Sequence, residues 1–159
     1  MTHPVTRESI AERMKEFGTV EQVQKNRIRV KTRPEQLHDA IATSQALLGF
    51  DRLITISTVD HGETFELLYH LIGPHRIIVS LAVDVPRVKP VMPTVSGLLP
   101  PAGIYERQIH DLFGINFTGH PDLKKIILNE DWPDNEYPLR KDWKPSPGEF
   151  YGGIKVERT

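Results

Sequence analysis

Three stretches of the chain repeat apolar residues every three or four positions, and each is followed closely by a glycine. They run from Ile10 to Phe17, from Leu37 to Leu48 and from Gly103 to Phe113. This spacing places the apolar side chains on one side of a helix, and glycine is the residue that most often ends one. The pattern therefore predicts three amphipathic helices.

Four other stretches alternate apolar and polar residues or are rich in β-branched residues, as strands are. They are Ile28–Lys31, Leu53–Val59, Thr64–Ile72 and Ile77–Val83. Short turn sequences containing glycine separate the last three, which is typical of hairpins. Helices followed by successive hairpin-linked strands indicate an α+β fold with a largely antiparallel sheet and packed helices.

Proline changes the pattern in the second half of the chain. Five prolines fall between Pro86 and Pro101, which favours an irregular connector. Four more follow Asn129, and they exclude a continuous helix or central strand there. We therefore expect an α+β core over residues 1–115. An extended segment rich in proline and aromatic residues, 116–159, is expected to wrap on a partner.

Composition excludes several classes of function. Twenty basic and twenty-one acidic residues give a net charge of −1, which disfavours a general nucleic-acid binder. The absence of cysteine excludes thiolate metal sites and ordinary iron–sulfur ligation. No apolar run reaches the roughly 20 residues that span a bilayer, and the start does not resemble a secretory signal. We therefore expect membrane contact only through partners.

The charged residues of the third predicted helix form the most informative pattern. Glu106 and His110 are four residues apart, and so are Arg107 and Asp111. Side chains at this spacing are neighbours on a helix, which predicts one charged face. His120 follows after a short loop, together with Asp122, and both are placed to return to that face.

This stretch and a later one resemble the thirty-kilodalton, or C-subunit, family of respiratory NADH–quinone oxidoreductase and its relatives in membrane-bound energy-converting hydrogenases. The residues that carry the resemblance are Glu106, Arg107, Asp111, Gly114, Ile115, Phe117, His120, Pro121, Asp122 and Leu123 in the first motif, and Pro138, Leu139, Arg140, Lys141 and Asp142 in the second. Two motifs at family-like spacing are more specific than either alone. Gln108 and the Trp-Pro sequence at 132–133 depart from the respiratory pattern and look more like the hydrogenase branch.

The resemblance implies a non-catalytic subunit in the peripheral arm of a membrane-bound, ion-translocating oxidoreductase, at the cytoplasmic face. Such subunits dock against a large subunit resembling that of nickel–iron hydrogenases, near an iron–sulfur subunit, and bind no cofactor or metal themselves. The hydrogenase or a related ferredoxin-linked complex is the first expectation, and a respiratory NADH–quinone oxidoreductase is the alternative. The expected partner interface consists of Glu106, Arg107, Asp111, Gly114, His120, Pro121, Asp122 and the run Pro138, Leu139, Arg140, Lys141 and Asp142. The expected tail anchors are Trp132, Tyr137, Trp143 and Tyr151.

Each of these residues also has a simpler interpretation. Glu106, Arg107 and Asp111 could form a salt-bridge cluster within the chain that fixes the loop to His120. The charges at 140–142 could lie on a solvated turn, and the tail rings could fold back on their own sheet. A stand-alone metal-dependent enzyme using Glu106 and His110 is the most remote alternative, because Arg107 would repel a cation there.

Overall fold

A five-stranded sheet forms the centre of the computed structural model, which describes residues 6–152 and 154–155. Residues 1–5 of the predicted core, and residues 153 and 156–159 of the predicted extended segment, lie outside the described residues. The strands are β1 (Thr19–Gln24), β2 (Arg27–Thr32), β3 (Arg52–Asp60), β4 (Thr64–Ile72) and β5 (Ile78–Pro86), in the order β1-β2-β5-β4-β3. The β2–β5 pair is parallel, and the other three pairs are antiparallel. The predicted α+β class with a largely antiparallel sheet is confirmed.

Three helices accompany the sheet, each where the apolar spacing predicted one. They are α1 (Arg7–Met14, continued by one 3₁₀ turn, Lys15–Phe17), α2 (Pro34–Leu48) and α3 (Ala102–Phe113). A capping box between Thr6 and Ser9 starts α1, and Pro34 starts α2.

Alternation along the strands decides which face of the sheet is buried. Phe65, Leu67, Tyr69 and Leu71 occupy every second position of β4 and are fully buried in the core that the helices cover. The intervening positions include the polar residues Glu66 and His70, and Glu66 accepts a hydrogen bond there from Arg29 of β2 at 2.6 Å. Burial alone would raise the pKa of Glu66, but hydrogen bonds from Lys31 and Arg29 outweigh it and lower that pKa.

Two short strands correct the prediction of an irregular connector over 86–101. Strand β6 (Val91–Pro93) lies inside the connector and pairs in parallel with β7 (Asn116–Thr118). Three residues are too few for an alternating pattern to be visible in sequence, and Pro93 concealed the strand further. The pair also crosses the predicted boundary between 115 and 116.

After β7 the chain runs from residue 119 to 149 through turns and bends without a helix or strand. It ends in a small hairpin of β8 (Phe150–Tyr151) and β9 (Ile154–Lys155). We call residues 119–152 the tail. Its course over α3 positions the candidate site.

Candidate functional site

Glu106 points inward from α3 to the loop that precedes the helix. Its carboxylate accepts hydrogen bonds from the backbone N–H of Val95 at 2.8 Å and from the hydroxyl of Thr94 at 2.6 Å. The residue has no exposed surface, so burial raises its pKa, and the two hydrogen bonds only partly oppose that rise. Glu106 therefore fixes the course of the loop from inside the protein.

His120 returns to the same helix, as the sequence predicted. Its Nε2 donates to the carbonyl of Gly103 at 2.9 Å, and its Nδ1 accepts from the backbone N–H of Asp122 at 3.0 Å. A ring that donates through one nitrogen and accepts through the other is neutral. The 3.8 Å between His120 Nε2 and Glu106 is therefore not a salt bridge. The carboxylate of Asp122 faces away to Lys124, at 3.2 Å.

Arg107 and Asp111 bind one tail segment instead of each other. The guanidinium of Arg107 donates to the carbonyls of Lys124 and Lys125 at 3.1 and 3.0 Å. Oδ2 of Asp111 accepts from the three consecutive backbone N–H groups of residues 126–128, at 2.8, 2.9 and 3.1 Å.

The alternative interpretation, a salt-bridge cluster of Glu106, Arg107 and Asp111, is therefore wrong. The salt bridges among the described residues include no pair within this set. The physical reason is that an irregular segment leaves its carbonyls and N–H groups without helix or sheet partners. The cation of Arg107 binds carbonyls of this segment, and the anion of Asp111 binds its N–H groups. The two charges therefore hold neighbouring parts of the same segment and do not pair with each other.

The second motif fastens the tail at the other end of α3. Arg140 donates through Nε to the carbonyl of Phe113 at 2.7 Å, and its guanidinium lies 4.5 Å from the ring centroid of Tyr137 and 5.2 Å from that of Phe65. Gly114 ends the helix with φ of 75°, and a Cβ there would collide with the Tyr137 ring. The tail thus packs directly on the helix end.

Asp60, at the end of β3, is an important residue that the sequence did not single out. It is 4% exposed and accepts hydrogen bonds from the N–H groups of Gly62 and Lys141 and from Arg87. Burial would raise the pKa of Asp60, but these bonds and the charge of Arg87 lower it to about 2. Arg87 also pairs with Asp142.

The run from Pro138 to Asp142 is therefore not simply a solvated turn. Arg140 and the Lys141 backbone are held by the core, whereas the side chains of Leu139, Lys141 and Asp142 face solvent. The Asp-x-Gly sequence at 60–62 indicates only a local turn. No sequence signal links Asp60 to Arg87 or Lys141.

Three of the four expected anchor rings pack on one another. The ring centroids of Trp132 and Trp143 lie 5.9 Å apart, and Tyr151 sits edge-on to both at 4.9 and 5.6 Å. The carboxylate of Glu136 accepts from the Tyr151 hydroxyl and the Trp143 ring N–H. The fourth ring, Tyr137, packs at Gly114. Anchoring of these rings in partner grooves stays a prediction.

With the charges of Arg107, Asp111 and Arg140 bound to backbone groups, several large apolar side chains remain exposed around α3 and the tail. They are Ile104, Ile126, Ile127, Leu139 and Phe150, each 38–55% exposed. Pro121 is exposed as well, and Pro138 is half-buried.

The enzyme alternative required Glu106 and His110 to act together. His110 bonds through Nδ1 to the carbonyl of Ile115 and lines a surface cleft, while Glu106 is sealed in the interior. A substrate has no approach to the Glu106 carboxylate. In the described ranges there is also no group of three or more His, Asp or Glu side chains placed to hold a metal ion.

Comparison with known proteins agrees with the motifs. The family model described as "Respiratory-chain NADH dehydrogenase, 30 Kd subunit" matches residues 20–149. The chain therefore belongs to this family, as the sequence predicted.

Relatives come from more than one kind of complex. The chain is 40% identical to the C subunit of NADH-quinone oxidoreductase from Roseiflexus sp. (strain RS-1), over 71% of this chain and 67% of the relative. It is 33% identical to the C subunit of F(420)H(2) dehydrogenase from Methanosarcina mazei, over 76% and 78%. Other relatives are longer, and the chain spans 48% of the NADH-quinone oxidoreductase C subunit from Jannaschia sp..

Two solved structures share the fold. One is a chain of the membrane-bound sulfane sulfur reductase, an archaeal respiratory membrane complex, with a TM-score of 0.73 and 27% identity over 86% of this chain and 85% of that one. The other is a trypsin-resistant fragment of Nqo5, with a TM-score of 0.64 and 30% identity over 73% of this chain and 98% of the fragment. The likeness to complexes not named NADH-quinone oxidoreductases supports the predicted hydrogenase-type branch. Within the described residues, no helix has the length and apolar character needed to cross a bilayer.

Proposed function

We propose that this chain is a non-catalytic subunit of the peripheral arm of a membrane-bound, ion-translocating oxidoreductase, a hydrogenase or a related ferredoxin-linked complex. It docks against a large subunit resembling that of nickel–iron hydrogenases, beside an iron–sulfur subunit, at the cytoplasmic face. Its partners carry the cofactors, and it reaches the membrane only through them. Family membership and the relatives' complexes support this proposal.

One observation carries the docking role. The motif residues bind the chain's own backbone, and this leaves Ile127 and Leu139 about half exposed, at 51% and 52%. Large apolar side chains held outward on a fixed backbone are typical of protein interfaces. The motif therefore fixes the backbone on which the docking surface is presented.

A respiratory NADH–quinone oxidoreductase is the second candidate. The 40% identity to the C subunit of such a complex favours it, and the 27% identity to the sulfane sulfur reductase chain is lower. Both candidates place the chain against a related large subunit, so the docking proposal is common to them.

The docking surface can be tested with the large subunit that co-purifies with this chain. Ile127→Glu and Leu139→Glu each place a charge where we expect buried contact, so each should weaken the complex at least about tenfold. The matched control is Leu47→Glu on α2, which is 58% exposed and lies on another element. Equal weakening by all three variants, or no association of the wild-type chain, would contradict the proposal.

A further inference from the structure

A cleft of about 450 Å³ lies between the C-terminal half of α3 and the tail. His110 and Asp111 line it on the helix side, and Trp132, Asp134 and Tyr137 line it on the tail side. Its volume falls within the range of ligand-binding pockets. The docking surface described above does not include this cleft.

Asp111 presents an unused acceptor to the cleft. All three N–H groups that it binds are bonded to Oδ2, and Oδ1 accepts no hydrogen bond from any described residue. The residue is only 4% exposed, yet Oδ1 is not among the polar atoms sealed from solvent. Asp111 is one of the residues that line the cleft. A carboxylate oxygen fixed in this way is set to accept from a ligand.

His110 lines the cleft beside Asp111, and its Nδ1 donates to the carbonyl of Ile115 at 3.0 Å, because a carbonyl can only accept. The Oδ1 atom of Asp111 is therefore the acceptor that the helix side of the cleft offers, and it selects a ligand that donates.

Charge selects a cation. Three acidic residues, Asp111, Asp134 and Glu136, line the cleft, against one lysine, Lys125. The ammonium of Lys125 donates to the carbonyl of Trp132 at 2.8 Å and lies 3.7 Å from Asp134. Burial would raise the pKa of Glu136, but hydrogen bonds from Tyr151, Trp143 and Ser146 lower it, so its negative charge persists.

The aromatic lining selects among cations. Trp132 and Tyr137 are among the lining residues, and a planar guanidinium can both stack on a ring and fork onto a carboxylate, which an ammonium cannot. The chain uses this contact itself, since Arg140 lies over the rings of Tyr137 and Phe65. A bare metal ion fits less well, because the described residues offer no cluster of three ligating side chains.

We infer that this cleft binds a guanidinium group, namely an arginine side chain presented by the neighbouring large subunit. The identity of the donor rests on the proposed docking function, whereas the binding of guanidinium rests on the cleft alone. The cleft would give the docked chain a fixed orientation, because a charged side chain in a shaped pocket sets register more than it adds affinity.

The test titrates the isolated full-length chain with N-acetyl-arginine methylamide and, separately, with N-acetyl-lysine methylamide. The chain has two tryptophans, so two indole N–H signals are observed by NMR, and only Trp132 lines the cleft. The arginine compound should shift the Trp132 signal saturably in the millimolar range. The lysine compound should bind several-fold more weakly.

Two variants of equal charge change complete the test. Asp134→Asn removes a carboxylate from the cleft and should weaken arginine binding about threefold to fivefold, as expected for an exposed charge. Asp131→Asn removes one nearby, outside the lining, and should leave binding unchanged. Absence of a saturable Trp132 shift, or equal effects of the two variants, would overturn the inference. Failure of the wild-type chain to bind the large subunit would instead overturn the proposed function, and the titration would still decide the cleft.

Discussion

At the scale of single residues, four charged side chains of the two motifs bind backbone groups. Arg107 and Arg140 donate to carbonyls, and Glu106 and Asp111 accept from N–H groups. Exposed pairs of charged side chains contribute little to stability, about 0–1 kcal/mol. A charge that satisfies the backbone of an irregular segment contributes more, because no helix or sheet can do so there.

Asp60 offers the sharpest test at this scale. Asp60→Asn removes the charge that faces Arg87 and puts a donor where the carboxylate accepts two N–H groups. We expect it to lower the free energy of unfolding by about 3 kcal/mol, the cost of breaking a buried pair. Urea denaturation would measure this. Asp142→Asn is the control, since its side chain is 74% exposed on the same arginine and the loss should stay below about 1 kcal/mol.

The same residue gives a pH dependence with a definite sign. The pKa of Asp60 is about 2 in the folded protein, below the value of about 3.9 in an unfolded chain. Its contribution to stability is therefore complete above about pH 4 and is lost as the pH falls towards 2. As the pH falls from about 4 to about 2, the free energy of unfolding should decrease more for the wild-type chain than for Asp60→Asn. Parallel losses in both proteins would show that Asp60 is not held ionised by its partners.

The sequence predicted some of these contacts and could not predict others. The return of His120 to α3 followed from a short loop after a helix with an amphipathic pattern. Two partners of Asp60, Arg87 and Lys141, are 27 and 81 positions away along the chain, and no local pattern encodes such distances. The helical spacing of Arg107 and Asp111 was right, but spacing cannot show that a tail segment competes for both charges.

At the scale of elements, the end of α3 and the tail form one unit. Gly114 adopts a left-handed conformation because the chain must turn from the helix into β7, and the Tyr137 ring lies where a Cβ would be. The guanidinium of Arg140 lies over the same ring, 4.5 Å from its centroid.

Gly114→Ala should therefore detach the tail. We expect a backbone cost of about 1–2 kcal/mol from the left-handed conformation, and a further cost of about 1–3 kcal/mol from displacing Tyr137. Faster tryptic cleavage after Lys141 should accompany the loss of stability. Gly62→Ala is the matched control, because φ there is also positive, at 90°, and no atom lies within 4 Å of the added Cβ. Equal stability and equal cleavage of the two variants would contradict the close packing of Tyr137.

Elements with a long repeating pattern were predictable, and short or polar ones were not. The three helices and strands β2 and β4 bury a regular face, so their periodicity is visible, and β3 and β5 are rich in β-branched residues. Strand β1 has the sequence TVEQVQ and lies at the sheet edge, and β6 and β7 have three residues each. Their pairing is decided by tertiary context, which a single sequence does not display.

At the scale of the whole molecule, the charged motifs and the exposed apolar residues belong to one arrangement. The motifs fix the tail over α3, and the fixed tail presents Ile126, Ile127 and Leu139 to solvent. The aromatic cluster of Trp132, Trp143 and Tyr151 stabilises the far part of the tail from within. A partner would therefore meet a surface that is already shaped, and little ordering entropy would oppose docking.

Amide hydrogen exchange of the isolated chain tests whether the tail is ordered before a partner binds. The backbone N–H groups of Ile126, Ile127 and Leu128 are bound to Asp111 without any partner present. They should exchange at least about tenfold more slowly than in an unstructured chain, and Asp111→Ala should abolish that protection. If these amides exchange freely in the isolated chain and become protected only when the large subunit is added, the partner orders the tail. That result would contradict a docking surface that is already shaped in the isolated chain.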